Sequence, residues 1–187
     1  MDQDTYDHIK LKYGLHSSWA IWSEEGLTPK SNMEDISIFD DPSILNILNP
    51  NIVLVGLNFS VPDVVTKPFQ NFHGQGGGAY KLRFAIKNTK LWGSYMTDII
   101  KDYPEKESSN VMKYLSENKS FVEKNINSFE EELKDIGAVN PLIVAFGNDS
   151  FKILSSYFGS KYKIKKVMHY SHFVSKEVFK KNMMEVL

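Results

Sequence analysis

Hydrogen-bonding side chains stand directly after, or near the end of, four short apolar runs of the chain. They are Asn58, Asp98, the Gly-Asn-Asp segment 147–149, and His169 in a His-Tyr-Ser-His segment. A histidine with a fixed tautomer donates one hydrogen bond and accepts another, whereas a carboxylate only accepts. Asn58 carries a neutral amide that cannot take a proton, so it orients a partner rather than acting as a base. These residue types suit the binding and orientation of a polar ligand.

A glycine-rich segment, 72–79, contains Gly76, Gly77 and Gly78 just before a predicted helix. Consecutive glycines leave backbone amides free to approach an anion. The segment is neither a Walker P-loop nor a dinucleotide-binding fingerprint, because the required spacing is absent. Two interpretations stay open: a flexible surface loop, or a closing lid or phosphate-contacting loop.

The apolar runs that carry these residues are predicted to be strands at 52–57, 94–100, 142–147 and 162–168. Helices are predicted between or before them at 4–12, 80–87, 111–115, 122–136 and 150–158. Strands that alternate with helices imply right-handed crossovers and a parallel sheet. We therefore expect one α/β domain over residues 1–187, with three layers and a four-stranded, mostly parallel sheet flanked by helices. Ligands bind at the carboxyl ends of such strands, so the polar residues should meet in one crevice.

Local sequence signals predict the ends of the long helix and one further strand. Ser120 and Glu123 have the spacing of a capping box at the start of the long helix, and Gly137 supplies a left-handed end. Residues 19–22 alternate weakly and are predicted to be an edge strand.

Composition excludes several classes of protein. The chain has 187 residues, a formal net charge of -1 and no cysteine, so a disulfide framework, a thiolate zinc site and a cysteine nucleophile are excluded. His169 and His172 lack a companion carboxylate motif, and we expect no metal site and no cofactor. The first residues do not resemble a signal peptide, and the apolar stretches are too short to cross a bilayer. A cytoplasmic protein with no membrane contact is the expectation.

Four lysines precede His169, at positions 161, 163, 165 and 166. One interpretation is a solvated edge strand that uses lysines to prevent edge-to-edge pairing. The other is a local basic patch that contacts nucleic acid, since the near-neutral net charge gives no general basic surface.

Two segments resemble motifs of the uracil-DNA glycosylase superfamily. The sequence Val-Leu-Val-Gly-Leu-Asn-Phe-Ser at 53–60 is similar to the first motif, in which Gly-x-Asp/Asn-Pro positions the water that attacks the sugar C1′. The sequence His-Tyr-Ser-His-Phe at 169–173 is similar to the last motif, His-Pro-Ser, whose histidine supports charge on the leaving base. The resemblance covers about 51–173, with Phe59 and Tyr170 in place of the two prolines, and it implies a glycosylase-like fold over 1–187.

The resemblance implies roles for the residues of the predicted crevice. Asn58 would hold the water, and His169 would donate a hydrogen bond to the departing base. Asp98 falls near the position of an Asn that reads uracil. Since a carboxylate only accepts hydrogen bonds, a base presenting donors would be preferred. The alternative is that Asp98 caps a backbone group or forms a local ion pair. Phe69 or Phe72 would stack on the extruded base; burial in the core is the alternative for a Phe in this region.

The resemblance also implies nucleic-acid contacts. Phe173 would fill the gap left by a flipped nucleotide. The other implied contacts are Ser60, Gly76, Gly77, Lys166 and Ser171.

Three functional hypotheses follow. The first is a monomeric, monofunctional, metal-independent DNA N-glycosylase that flips and excises a deaminated or modified base from single-stranded or mismatched DNA. The second is a non-catalytic module that binds nucleic acid, a nucleotide or a base in the same crevice. The third is a small-molecule hydrolase, which the absence of a Gly-x-Ser-x-Gly elbow does not support.

Overall fold

A five-stranded mixed sheet organises the protein in a computed structural model that describes residues 1–59, 65–74 and 76–187. The strands are β1 Ser18–Trp19, β2 Asn49–Asn58, β3 Ser94–Ile100, β4 Leu142–Phe146 and β5 Lys163–Val167. Their spatial order is β1-β3-β2-β4-β5. Strands β2 to β5 are parallel to their neighbours, and β1 is antiparallel to β3.

The prediction of four parallel strands is confirmed, but the count of four for the whole sheet is wrong. The additional strand, β1, is only two residues long and pairs with β3 at Tyr95 and Met96. It overlaps the start of the weakly alternating stretch at 19–22. A pairing this short depends on the neighbouring strand rather than on a pattern of its own, which is why its position was predicted only loosely.

Helices cover both faces of the sheet. They are α1 Gln3–Lys12, α2 Ala79–Ile86, α3 Ser108–Glu117, α4 Lys119–Asp135, α5 Asn148–Phe158 and α6 Lys176–Met184, with two 3₁₀ helices at Ser37–Asp40 and Pro42–Asn46. Helix α6, which was not predicted, begins at the N-cap Ser175 and packs against α2. No helix of the described residues is long and apolar enough to cross a membrane.

Alternation along β2 divides the core into two layers. Val53 and Val55 pack with α1, α3, α4 and α5 on one face, whereas Ile52 and Leu54 pack with α2 and α6 on the other. A strand that is buried on both faces reads as a continuous apolar run, as predicted for this segment. Each fully buried aliphatic side chain of this kind contributes about 1.5–3 kcal/mol. The three-layer α/β arrangement is therefore confirmed.

The ends of α4 confirm one local prediction and correct another. Gly137 follows the helix with a φ of 73°, as a left-handed end requires. The capping box of Ser120 and Glu123 is wrong, because α4 already begins at Lys119 and its N-cap is Asn118. The amide of Asn118 donates to the Tyr114 carbonyl at 2.8 Å instead, so it caps the end of α3.

A buried carboxylate ties α4 to β3. Glu132 is fully buried, and its Oε1 accepts hydrogen bonds from the Tyr95 hydroxyl at 2.7 Å and the Thr97 hydroxyl at 2.9 Å. Its Oε2 lies 2.7 Å from Nζ of Lys101, at the end of β3. A buried charge is tolerated only when it is paired in this way.

A buried arginine on α2 holds the irregular N-terminal third in place. The Arg83 guanidinium donates to three backbone carbonyls, those of Ser23 at 3.3 Å, Pro29 at 2.9 Å and Ser31 at 2.9 Å. One side chain therefore satisfies backbone acceptors that no sheet or helix reaches.

Strand β5 lies at the edge of the sheet, which confirms the edge-strand interpretation of its lysines. Lys161 forms an ion pair with Glu130 of α4. Lys166 donates to the Asn148 side chain at 3.0 Å. Contact of these lysines with nucleic acid stays a prediction.

We predict that Glu132→Gln lowers the free energy of unfolding by about 3–5 kcal/mol, because the Lys101 ammonium loses its buried counter-charge. Urea unfolding followed by circular dichroism measures the change. Glu131→Gln is the matched control: its carboxylate is exposed and pairs with Lys12 at the surface, so we expect a loss of about 1 kcal/mol or less. Equal losses in the two variants would contradict a charged buried pair.

Candidate functional site

A cleft of about 1130 Å³ opens at the carboxyl ends of the parallel strands. Its lining includes Asn58 at the end of β2, Asp98 in β3, Phe146 at the end of β4 with the segment 147–150 after it, and the segment 169–172 after β5. The predicted convergence of these four strand ends in one crevice is confirmed. The volume suits a small-molecule or nucleotide ligand.

His169 is held in one tautomer. Its Nδ1 accepts a hydrogen bond from the backbone N–H of Ser171 at 3.1 Å and lies 2.7 Å from the Ser171 hydroxyl. A backbone N–H can only donate, so Nδ1 carries no proton and Nε2 does. Burial, helped by the nearby charges of His172 and Lys81, lowers the pKa of His169 to about 4. At neutral pH this side chain is an uncharged hydrogen-bond donor.

Aromatic rings hold the imidazole of His169 in place. It stacks on Tyr170 with ring centroids 4.3 Å apart, and it meets Phe146 edge-on at 5.9 Å. Phe146 also meets Tyr170 edge-on at 5.2 Å. These contacts and the hydrogen bond to Nδ1 fix the orientation of Nε2–H.

Asn58 fastens two loops together. Its Nδ2 donates to the backbone carbonyls of Phe59 at 3.2 Å, Tyr103 at 3.1 Å and Glu105 at 2.8 Å. Since a carbonyl oxygen only accepts hydrogen bonds, the Asn58 atom bonded to these three groups must be the amide nitrogen. Oδ1 is therefore the side-chain atom that remains for another partner. No described residue donates to that oxygen. The predicted orientation of a water by Asn58 would therefore use Oδ1 as an acceptor.

The Asp98 carboxyl packs against the backbone of Gly56 at the floor of the cleft. It stands opposite Gly56 in the register of β2 and β3, and a Cβ at Gly56 would overlap Oδ1 of Asp98. Within the described residues the carboxyl forms no ion pair, so the alternative of a local ion pair is not supported. Burial raises the pKa of Asp98 to about 7, against the opposing effects of Lys101 and of the nearby Asn71 side chain.

The glycine-rich segment packs against the segment that carries His169. Gly78 has a φ of 84°, and a Cβ there would overlap the Tyr170 carbonyl oxygen and the Lys81 side chain. Gly76 and Gly77 line the cleft. Only glycine permits this close approach together with a left-handed backbone.

Lys81, which sequence reasoning missed, anchors the same region. It is buried, and its Nζ donates to the His172 carbonyl at 2.6 Å. Burial lowers the pKa of Lys81. A lysine within the helix predicted at 80–87 gives no sequence signal that its ammonium group is buried.

The prediction that Phe69 stacks on a base is wrong. Phe69 is fully buried, and its ring packs between Tyr6 at 5.5 Å and Phe39 at 5.2 Å. Its N–H donates to the Gly14 carbonyl at 2.6 Å, which fastens it to the N-terminal part of the chain. Phe72 is half-buried and lines the cleft, so its predicted stacking role stays open.

His73, also missed from sequence, contributes a buried acceptor to the cleft wall. It is 3% exposed, and its Nε2–H donates to the Trp19 carbonyl at 3.3 Å. Burial lowers the pKa of His73 to about 3, so Nδ1 is an uncharged acceptor, and no described residue donates to it. Its position within the glycine-rich segment was the one available signal.

The remaining predicted contacts are distributed around the cleft. Ser171 lines it, with its hydroxyl bonded to His169. Phe173, one residue beyond the cleft lining, is fully exposed. Lys166 lies on the edge strand, and Ser60 lies outside the described residues. Among the residues that the structure describes, no group of three or more metal-ligating side chains could hold an ion.

Three helices begin beside the cleft. The first turns of α2, α3 and α5 include the lining residues Ala79, Ser108 and Asn148. Helix N-termini carry partial positive charge and unpaired N–H groups. This arrangement favours a ligand with anionic or carbonyl-rich parts.

We predict that Gly56→Ala destabilises the protein by about 1–3 kcal/mol or more, because the added methyl group overlaps the Asp98 carboxyl. Thermal unfolding of both single variants and of the Gly56→Ala/Asp98→Ala double variant measures the coupling. The double variant should recover most of the loss caused by Gly56→Ala. Gly74→Ala, where a Cβ meets nothing within 4 Å, is the control and should be nearly neutral.

Stability should also depend on the protonation of Asp98. Its pKa is about 7 in the folded protein, against an ordinary value of 3.8, so between these values only the folded chain keeps the proton. Stability therefore falls as pH rises through this window, by roughly 1.4 kcal/mol for each unit of pKa shift. Asp98→Asn should raise the free energy of unfolding above pH 7 and have little effect near pH 4, as measured by urea unfolding. An equal effect at both pH values would contradict the raised pKa.

No family model, curated protein or solved structure matches this chain. The resemblance to uracil-DNA glycosylases therefore stays a prediction from two motifs. Support for a function has to come from the side chains that line the cleft.

Proposed function

We propose that the protein is a DNA N-glycosylase-like enzyme, of uracil-DNA glycosylase-like fold, that removes a deaminated or modified base. One observation carries this proposal: the Nε2–H of neutral His169 and the Oδ1 acceptor of Asn58 belong to the same cleft. A donor for the leaving base and an acceptor for the attacking water are the two groups that this reaction needs.

In the proposed reaction the bond between the sugar C1′ and the base nitrogen breaks, and its electron pair leaves with the base. His169 donates a hydrogen bond from Nε2 to the negative charge that develops on the base. Because the pKa of His169 is lowered to about 4, the imidazole acts as a neutral donor rather than as a proton source. A water whose hydrogen is bound by Asn58 Oδ1 adds to C1′ and releases its proton to the base or to solvent.

A base inside a duplex cannot reach this cleft, so the nucleotide has to leave the stack. The half-buried ring of Phe72 offers a stacking surface for the extruded base. The fully exposed Phe173 offers an apolar group for the gap in the DNA. DNA as the partner, a monomeric protein and a cytoplasmic location belong to the same proposal.

A non-catalytic base-binding module is the second candidate. The observation that favours it is the engagement of the Asn58 amide by three backbone carbonyls, which is a structural task in itself. Asn58 also cannot take a proton from water. The cleft would then bind a base or nucleotide without cleaving it.

Oligonucleotides that carry one uracil, hypoxanthine, xanthine or oxidised base test the first candidate. After incubation with the protein, alkali cleaves any abasic site, and the strand breaks are counted on single- and double-stranded substrates. We expect His169→Ala to lower the cleavage rate by about 10²–10³-fold, the usual cost of removing one such donor. His8→Ala, an exposed histidine on α1, is the matched control and should leave the rate unchanged.

Asn58→Ala should also reduce the rate, and circular dichroism separates a lost water site from a loosened loop. Salt-sensitive binding of the oligonucleotides without strand breaks would favour the binding module. An absence of both binding and cleavage would overturn both candidates.

A further inference from the structure

The Asp98 carboxyl is buried where β2, β3 and the segments at 71 and 170 meet. It is 5% exposed and lies against Gly56 of β2. The Asn71 side chain, whose Nδ2 donates to the His16 carbonyl at 2.9 Å, lies close enough to lower the pKa of the carboxyl, and the charge of Asp98 also acts on Tyr170 of the segment after β5. The charges that act on Asp98 are those of Lys101 at the end of β3 and, from the opposite face of the sheet, Glu132 of α4.

The two charged neighbours act on Asp98 in opposite directions, since Lys101 lowers its pKa and Glu132 raises it. Lys101 Nζ is directed to the Asp98 backbone carbonyl, at 2.8 Å, and not to its carboxyl. The same Nζ pairs with Glu132 Oε2 at 2.7 Å, and the charge of Glu132 opposes ionisation of Asp98. Burial without a dedicated counter-charge favours the uncharged acid.

The cleft side of this carboxyl is a recognition surface. A neutral carboxylic acid presents one O–H donor beside one C=O acceptor, whereas an ionised carboxylate presents acceptors only. A planar heterocycle with a lactam or imide edge carries the complementary pair, a ring N–H next to a carbonyl oxygen. The aromatic rings of Phe72 and Tyr170 line the same cleft and suit a flat ligand.

We propose that Asp98 binds the ligand as a carboxylic acid, donating one hydrogen bond to a ring carbonyl and accepting another from the adjacent ring N–H. This inference rests on the proposed base-binding function and names the substrate class: bases with a lactam or imide edge, such as uracil or hypoxanthine. It reverses the expectation, drawn from an ionised Asp98, that such an edge is disfavoured.

The bound form of Asp98 makes recognition dependent on pH. When the carboxyl loses its proton, an oxygen lone pair faces the ring carbonyl, and the attractive contact becomes repulsive. The acid form decreases about tenfold for each pH unit above the pKa, so the affinity for such a base should decrease by the same factor. Burial places this pKa at about 7, so the decrease begins near neutrality.

Binding of free uracil, measured by NMR titration from about pH 5.5 to about pH 8.5, tests the proposal. The wild-type dissociation constant should be constant below pH 7 and rise about tenfold per unit above it. Asp98→Asn retains a donor and an acceptor but does not titrate, so its affinity should stay within a few-fold of the wild-type value at acid pH and remain constant throughout. Asp102→Asn, which removes an exposed carboxyl just after β3 and outside the cleft, is the matched control and should keep the wild-type pH dependence.

A second measurement tests the proposal on wild-type protein, so it does not depend on the folding of Asp98→Asn. Binding to the acid form must raise the pKa of Asp98, so the carboxyl ¹³C resonance of labelled wild-type protein should titrate at higher pH with uracil than without. Wild-type affinity that does not change with pH, or an unchanged ¹³C titration, would overturn the role of Asp98. An absence of uracil binding at every pH would overturn it too. The strand-break assay tests the proposed function independently of both results.

Discussion

The contact between the Asp98 carboxyl and the backbone of Gly56 sets the form of the cleft floor. The parallel register of β2 and β3 places these two residues opposite each other, and the missing side chain of Gly56 leaves room for the carboxyl. Alternation along β3 then turns Thr97 to the opposite face, where it binds Glu132. The two carboxyls therefore occupy opposite faces of one strand, and Lys101 neutralises Glu132 while it binds only the backbone of Asp98.

This division of charge leaves the two cleft histidines, His73 and His169, uncharged at neutral pH and leaves Asp98 without a dedicated counter-charge, so that it titrates near neutrality. Burial lowers the pKa of His169 to about 4 and that of His73 to about 3, and it raises the pKa of Asp98 to about 7. Each histidine, and Asp98 in its acid form, thus offers a defined donor or acceptor without a charge that must be desolvated. Such a lining matches the edge of an uncharged heterocycle better than it matches a strongly ionic ligand, because unpaired buried charge is costly.

Sequence alone was enough for the parallel strands, because a strand buried on both faces leaves a continuous apolar run such as 52–57. The meeting of Asn58, Asp98 and His169 then followed from the rule that parallel strands share a carboxyl edge. The burial of Phe69 and Lys81 did not follow, because it depends on partners far away in sequence. Phe69 packs on residues of the N-terminal third, and Lys81 binds a carbonyl 91 positions later. Short-range patterns do not encode such contacts.

Other contacts replace the rigidity that the missing prolines would supply. Phe59 and Tyr170 stand where the resembling motifs have proline, whose ring fixes φ. Here the Phe59 carbonyl accepts a hydrogen bond from Asn58, which also holds the loop after β3. Tyr170 stacks on His169, and its carbonyl rests against Gly78, while Lys81 fastens the next turn. Since hydrogen bonds and close packing restrict these loops, the donor of His169 and the acceptor of Asn58 are oriented before a ligand arrives. The absence of proline at positions 59 and 170 is therefore compatible with a pre-organised site.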